Sequence, residues 1–459
     1  MARLVIVSNR VAIPGERGAA VGGLVVALAD LLTPGSVWFG WSGRLAAESA
    51  PRPVAIEKGG TTYATVDLTT EAYRGFYVGF ANGALWPLLH FRPDLMSFRH
   101  EDYRTYLSVN RTFARQVSKL LRPDDSVWAH DYHLIPFGRL LREQGFAGPV
   151  GFFLHVPFVP PPMLEALPVA RELIADLCAY DLVGFQTEDH ARHFRDCARL
   201  WLGATVHGEW VRLDDHVVRA FASPIGIDAD AFRRTAIRAA GSKRVQSLVG
   251  RRAGRPLAVG ADRLDYSKGL PQRLEAYGRL LERHAEQRRS VQFVQICAPS
   301  REDVDEYRRL RAELGRLARS LNSRFSTAKW TPLLYSTRAA TRTTLAGLYR
   351  IARVGVVTPL SDGMNLVAKE YVAAQPADDP GVLVLSRLAG AAQELTEALL
   401  VDPFDPDAIA DALHAALMMP LPERKQRHAA LLQKVMRTTA QTYRQRFLEA
   451  LRSARRHSS

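Results

Sequence analysis

Short apolar runs, each ending on a polar or glycine-bearing turn and leading into a helix-spaced segment, recur along this chain, and the pattern starts afresh in its second half. Leu4-Val5-Ile6-Val7 is followed after a loop by Gly22-Gly23 and a helical stretch from Leu24 to Leu32, which Thr33-Pro34-Gly35 stops. Ser126 to His130 leads through Asp131 into a segment carrying Leu134, Phe137, Leu140 and Leu141, and further apolar runs span Val150 to Leu154 and Leu182 to Phe185. Strands that are apolar on both faces must be covered on both. The alternation therefore predicts parallel sheets sandwiched between helices.

In the second series, Leu257-Ala258-Val259-Gly260 precedes a helix opened by Pro271, with Leu270, Leu274, Tyr277 and Leu281 along one face. Val291 to Ile296, Val354 to Val357 and Val382 to Leu385 follow, each with its own helical stretch. A polar, basic segment from about 228 to 255 separates the two series. The expected architecture is α/β, with two Rossmann-like doubly wound domains at 1–235 and 236–439, and a helix at about 440–459 crossing back to complete the first. The carboxyl ends of the two sets of strands would face each other across a cleft, where ligands of such sheets bind. A chain of 459 residues suffices for two such cores.

Charge needs a separate account, because 61 basic against 47 acidic residues leave a formal +14. Of the basic residues, 8 are Lys and 53 Arg, and no block of five like charges occurs. The excess is spread rather than patched, which argues for a solvated surface and against a nucleic-acid partner. Cys178, Cys197 and Cys297 are too few and too irregularly spaced for a disulfide framework or a zinc site. No apolar run approaches the roughly 18 residues of a membrane span, and Leu4 to Val7 is too short for a secretory signal. The expectation is a cytoplasmic protein without a membrane partner.

If ligands bind at strand carboxyl ends, the residues just after each apolar run are the candidates: Arg10, Gly22, Gly23, Asp131, His155, Arg263 with Lys268, Arg301, and Asp362 with Glu370. The set is rich in cations and glycines, which suits phosphate. Gly22-Gly23 opens a helix, where backbone N–H groups meet anions, although a tight turn without a ligand reads the same way. Arg263 and Lys268 share one loop before a Pro-opened helix; they could converge on a diphosphate or simply decorate a capped helix. Asp362-Gly363 makes a turn, and Asn365, Leu366 and Val367 can offer N–H groups at the helix start. Glu370, about two helical turns on, suits sugar hydroxyls or plain solvent. His155 is either a core histidine or a donor to a ligand hydroxyl. His130 and His133 flank Asp131 without the further partners of a zinc motif. Neither a Walker loop nor a G-x-G-x-x-G fingerprint is present.

Leu4 to Arg10, Gly22-Gly23-Leu24, Trp38 to Gly43, Leu85-Trp86-Pro87, Trp128-Ala129-His130-Asp131-Tyr132-His133-Leu134, Gly151 to His155, Gly184 to Thr187, Arg263-Leu264-Asp265-Tyr266-Ser267-Lys268-Gly269 and Asp362 to Glu370 together resemble the α,α-trehalose-6-phosphate synthases, retaining glycosyltransferases of family 20 with the GT-B fold. The match runs in order from about residue 3 to about residue 405. It implies transfer of glucose from a nucleotide diphosphate glucose, UDP-glucose by family habit and GDP-glucose as a variant, to glucose 6-phosphate. The products would be trehalose 6-phosphate and the nucleoside diphosphate, a step of trehalose biosynthesis.

By this resemblance, Gly22 and Gly23 with Arg263 and Lys268 take the donor diphosphate, Glu370 the ribose, and Asp362 and His155 hydroxyls of the transferred glucose. The backbone of Leu366, Val367, Ala368, Lys369 and Glu370 closes over the diphosphate. Arg10, Tyr77 and Arg301, with Trp41 and Trp86, hold the acceptor phosphate, Asp131 binds acceptor hydroxyls, and Trp86 and Val156 select the anomer. The catalytic set is thus Arg263, Lys268, Asp131, His155 and Asp362, with no metal and no cofactor; a homo-oligomer is the family expectation. Arg263 and Lys268 would stabilise the charge growing on the leaving diphosphate.

Retention without a nominated carboxylate pair points, by resemblance, to same-face substitution, with Asp131 as general base the other assignment. Asp303/Asp305 and Asp405/Asp407 have D-x-D spacing but fall in helical or loop contexts. Ala340 stands where the family often has an aromatic residue beside the nucleobase, which leaves the choice among UDP, GDP and ADP open. Two other readings share this fold: a pseudo-glycosyltransferase with a cyclitol donor, and a non-catalytic sugar-phosphate sensor.

Overall fold

A computed structural model describes residues 3–15, 28–48, 52–250, 254–301 and 304–458. They form two units, Met1–Ile225 with Ala440–Ser459, and Gly226–Thr439. The junction therefore falls at 225/226 and not at the expected 235/236. Residues Ala229–Ala239 form a helix that packs on helices of the second unit; its buried Phe232 lies against the ring of Tyr349.

The first unit is built on ten strands: β1 (Leu4–Arg10), β2 (Val37–Ala46), β3 (Val54–Lys58), β4 (Thr61–Thr69), β5 (Ser126–His130), β6 (Val150–Phe153), β7 (Leu182–Phe185), β8 (Thr205–His207), β9 (Trp210–Leu213) and β10 (His216–Ala222). Their order is β3-β4-β2-β1-β5-β6-β7-β10-β9-β8. From β4 to β10 the neighbours run parallel, as the continuous apolar runs require. Both edges depart from the expected parallel sheet. β3 is antiparallel to β4, and β8 and β10 are antiparallel to β9. The links there, such as Gly59-Gly60 with φ of +61° and +76°, are hairpin turns too short for a crossover.

The helix Ala440–Ser458 returns to cover this sheet. Phe447 stacks on Trp128 of β5, with centroids 4.0 Å apart and planes 7° apart. It can lie this close because β6 and β7 carry Gly151 and Gly184 beneath it. A Cβ at either position would come within 2.8–2.9 Å of the Phe447 ring.

The second unit has six parallel strands, β11 (Leu257–Arg263), β12 (Gln292–Ala298), β13 (Leu333–Ser336), β14 (Val354–Val357), β15 (Val382–Ser386) and β16 (Leu399–Val401), in the order β13-β12-β11-β14-β15-β16. Around it lie α1 (Ala229–Ala239), α2 (Leu270–Arg283), α3 (Asp305–Phe325), α4 (Arg342–Ile351), α5 (Leu366–Ala374) and α6 (Pro406–Met418). Leu270, Leu274, Tyr277 and Leu281 of α2 are all buried, as their spacing predicts, and pack with Phe293, Val354, Val384 and Leu413 into one core. Rings of α1, α4 and α5 meet through Phe232, Tyr349 and Tyr371.

The three cysteines are buried and free. Among the described residues, no helix is long and apolar enough to cross a membrane.

Candidate active site

Both sheets reverse their winding at one point, and in open α/β sheets that is where a crevice opens beyond the strand ends. In the first unit the reversal lies between β1 and β5, so Arg10 and Asp131 emerge side by side. In the second it lies between β11 and β14, followed by the loop of Arg263 and Lys268 and the loop of Asp362.

In the first unit Arg10 sits over the Trp41 indole, its guanidinium carbon 5.8 Å from the ring centre. Gly43, at φ +90°, makes room for it, since a Cβ there would lie 2.6 Å from the guanidinium. From Trp41 an aromatic wall extends through Tyr73 (5.5 Å) and Tyr77 (6.1 Å). It continues to His133, stacked on Tyr77 at 5.8 Å, then to Tyr132 and Trp86. Tyr73 and Tyr77 project from a π-wound helix, Tyr73–Leu85, a rare winding that often marks functional positions. A cation at the end of a wall of rings suits a sugar phosphate.

Asp131 ends β5 with φ +76°, a strained setting for a non-glycine residue. Its N–H donates to the Phe153 carbonyl at 2.8 Å, and its carboxylate accepts the His155 N–H at 3.2 Å. Val156 beside it is buried.

The hydrogen-bond network assigns the tautomer of His155. The Ile225 N–H donates to Gln186 Oε1 at 3.0 Å, which turns Gln186 Nε2 towards His155 Nδ1 at 3.5 Å. An amide nitrogen only donates, so Nδ1 accepts and the ring proton sits on Nε2, which donates to His130 Nδ1 at 3.0 Å. Burial pushes His155 down to about 3 and holds His130 well below the usual range, so both rings are neutral. His155 is thus a link in a hydrogen-bonded chain that runs from Gln186 to His130.

In the second unit, Asp265 caps the short turn Tyr266–Lys268 by accepting the Ser267 N–H at 3.0 Å. Its other oxygen accepts from Arg301 at 3.2 Å and from the Tyr307 hydroxyl at 3.3 Å. Lys268 Nζ lies 2.7 Å from Asp362 Oδ2, and Asn365 Nδ2 donates to the same oxygen at 3.0 Å. The Leu360 N–H donates to the Ser267 carbonyl at 2.7 Å, tying the two loops together.

α5 then starts from Asn365, at φ +76°, with no side-chain cap, so the first-turn N–H groups from Leu366 to Ala368 present the positive end of the helix. Lys369 is fully buried and pairs with Glu394 at 2.6 Å, so only its backbone is available. Glu370 is largely but not wholly buried, its side chain 15% exposed, and burial pushes its carboxyl up to about 7 against the opposing pull of Arg342, 3.4 Å away.

The first unit thus holds Arg10, Trp41, Tyr77, Trp86, Asp131, His155 and Val156, and the second holds Arg263, Lys268, Arg301, Asp362 and Leu366 to Glu370. Arg301, expected with the acceptor set, belongs to the second unit, at φ +47° and bound to Asp265. Gly22 and Gly23, like Asp303, lie outside the described residues. Asp405 caps α6 by accepting the Asp407 and Ala408 N–H groups, so the Asp405/Asp407 pair is a helix start.

One further residue of this region carries no recognisable motif. Arg273 is fully buried in the first turn of α2 and pairs with Asp262. It also donates to Thr358 Oγ1 at 3.0 Å, Gln295 Oε1 at 3.1 Å and the Lys268 carbonyl at 3.2 Å, bracing the middle of β12 and the ends of β11 and β14 under the Lys268 loop. The available signal was its position, three residues after Leu270 and four before Tyr277 on the apolar face of α2.

Residues 6–453 match the model of glycosyltransferase family 20. The trehalose-6-phosphate synthase of Sinorhizobium fredii is 43% identical over 441 residues, covering 95% of each chain. An α,α-trehalose-phosphate synthase (UDP-forming) from Burkholderia vietnamiensis superposes with a TM-score of 0.97 at 45% identity, over 100% of this chain and 98% of its own. The Burkholderia xenovorans enzyme of the same name, in complex with glucose-6-phosphate, gives 0.95 at 44% identity over 98% of this chain and 100% of its own.

Proposed function

The chain belongs to glycosyltransferase family 20, and from that premise we propose that it transfers glucose from UDP-glucose to glucose 6-phosphate with retention, forming α,α-trehalose 6-phosphate and UDP. The observation that carries this reading is the convergence in the second unit of a cationic loop, a carboxylate and the uncapped start of α5.

In this reading, Arg263, Lys268 and the first-turn N–H groups of α5 take the donor diphosphate. As the glycosidic bond breaks, negative charge grows on the leaving phosphate, and these groups stabilise it more in the transition state than in the bound donor. Two cations and a helix start supply what a metal ion would otherwise supply. Glu370 accepts from the ribose. In the first unit Arg10 holds the acceptor phosphate against the aromatic wall, and Asp131 orients acceptor hydroxyls.

Same-face substitution, in which the leaving phosphate takes the acceptor proton, is favoured by the state of the carboxylates. Asp362 Oδ2 is shared by Lys268 and Asn365, so its charge is already neutralised and it makes a poor nucleophile. His155 fixes Asp131 through its backbone N–H, and its side chain joins Asp362 at the hydroxyls of the transferred glucose.

The test is to incubate purified protein with glucose 6-phosphate and each of UDP-, GDP- and ADP-glucose, following nucleoside diphosphate release and identifying the product by mass spectrometry. The purine donors are included because Ala340 places a methyl group where the family often has an aromatic ring. Acceptor-dependent release with UDP-glucose is expected; none with any donor defeats the proposal.

A further inference from the structure

Away from this chemistry, the far end of α2 carries a second cluster of ligand-type side chains. His284 follows α2, Glu286 lies in the short turn Ala285–Gln287, and His414 projects from α6, which packs along α2. The imidazoles of His284 and His414 stack with centroids 3.7 Å apart and planes 10° apart. The Nδ1 atoms of both face the same carboxylate oxygen, Oε1 of Glu286, at 3.4 and 3.8 Å. His284 Nε2 looks the other way, towards Asp411 at 4.0 Å.

These separations are informative. A tetrahedral cation with bonds of about 2.0–2.1 Å holds its ligand atoms about 3.3–3.4 Å apart. The two carboxylate–imidazole distances are already at or near that spacing. A bound cation lies in the plane of each imidazole, so the stacked rings must splay; they are 22% and 27% exposed and can turn without unpacking the core. Gln287 Nε2, 3.5 Å from His414 Nδ1, is the contact that a cation would displace.

We propose that His284, Glu286 and His414 form a binding site for a transition-metal dication that staples the end of α2 to α6. Two imidazoles and one carboxylate favour Zn2+, Co2+, Ni2+ or Cu2+ over Mg2+ and Ca2+, which demand oxygen ligands. α2 has 14 residues, about 21 Å at 1.5 Å per residue, and its other end starts at the Lys268 loop. The cation therefore acts on the stability of the second unit and takes no part in glucose transfer.

The test uses the full chain, free of any affinity tag and stripped with EDTA, then titrated with ZnCl2 or NiCl2 by calorimetry and melted with and without metal. Binding that raises the melting temperature is expected, with no rise from MgCl2 or CaCl2. The double variant His284→Ala/His414→Ala should lose one equivalent of binding and the thermal gain while keeping wild-type turnover. Glu286→Gln, which spares both rings, should weaken that equivalent about tenfold or more. Wild-type protein that binds neither metal more tightly than about 100 µM overturns the proposal, as does a double variant that binds as the wild type does.

Discussion

Lys268 Nζ and Asp362 Oδ2 meet at 2.7 Å although 94 residues separate them in the chain. The cation assigned to the leaving diphosphate is thus held in place before any substrate arrives, by the residue assigned to the transferred sugar. Such preorganisation costs nothing at the moment of reaction, and removing one donor of this kind typically lowers kcat by about 10²–10³-fold. Lys268→Ala is expected to show that loss in steady-state release of nucleoside diphosphate. Wild-type turnover in the variant refutes the assignment.

Glu370 predicts a pH dependence of stability. Its folded carboxyl titrates at about 7, above the ordinary value of 4.5. The folded chain therefore holds a proton that the unfolded chain has lost between those values. The associated stability is fully present below about pH 4.5 and fades as pH rises through 7, by up to about 3 kcal/mol. Glu370→Gln should flatten the fall in melting temperature between pH 5 and pH 8. An unchanged slope contradicts the buried, proton-holding carboxyl.

His155 is expected to be neutral, with its proton on Nε2, down to well below pH 6. Nitrogen-15 NMR of the ring reads this directly, and a proton found on Nδ1 breaks the chain from Gln186 to His130. Because its folded value, about 3, lies below the ordinary 6.5, the stability it contributes is present above 6.5 and is lost as pH falls towards 3. Gln186→Leu should leave His155 as a mixture of tautomers and lower kcat more than it raises KM.

Arg273→Met removes one partner of a buried ion pair and strands Asp262. Breaking such a pair costs about 3–5 kcal/mol, a fall in melting temperature on the order of 10 °C for a unit of this size. Thermal melting checks it, and a variant that melts with the wild type shows that Arg273 braces nothing.

The strand-and-helix series, the shared loop of Arg263 and Lys268 and the apolar face of α2 could all be read from residue order, because each depends on neighbours close in the chain. What could not be read depends on partners far away. Arg273 looks like a surface cation until Asp262, Gln295 and Thr358 fold around it. Residue order alone allows the ring of His155 to be core or ligand, because its setting rests on Gln186 and on the backbone of Ile225. Arg301, given to the acceptor by resemblance, is held by Asp265, a partner that its own stretch of chain does not reveal. The edge hairpins are invisible in residue order because strands such as Val54–Lys58, exposed along their whole length, lack an apolar signature.

The return of helix Ala440–Ser458 to the first unit bears on how the protein is made. All of residues 226–439 must leave the ribosome before Phe447 can reach Trp128. At roughly 5–20 residues per second, the groove over Gly151 and Gly184 stays bare for about 10–40 s. During that interval the first unit is an unfinished sheet with an apolar face open to chaperones and to other nascent chains. Damage to the helix Ala440–Ser458 should therefore reveal itself far from where it occurs, as failure of a sheet whose strands were synthesised long before.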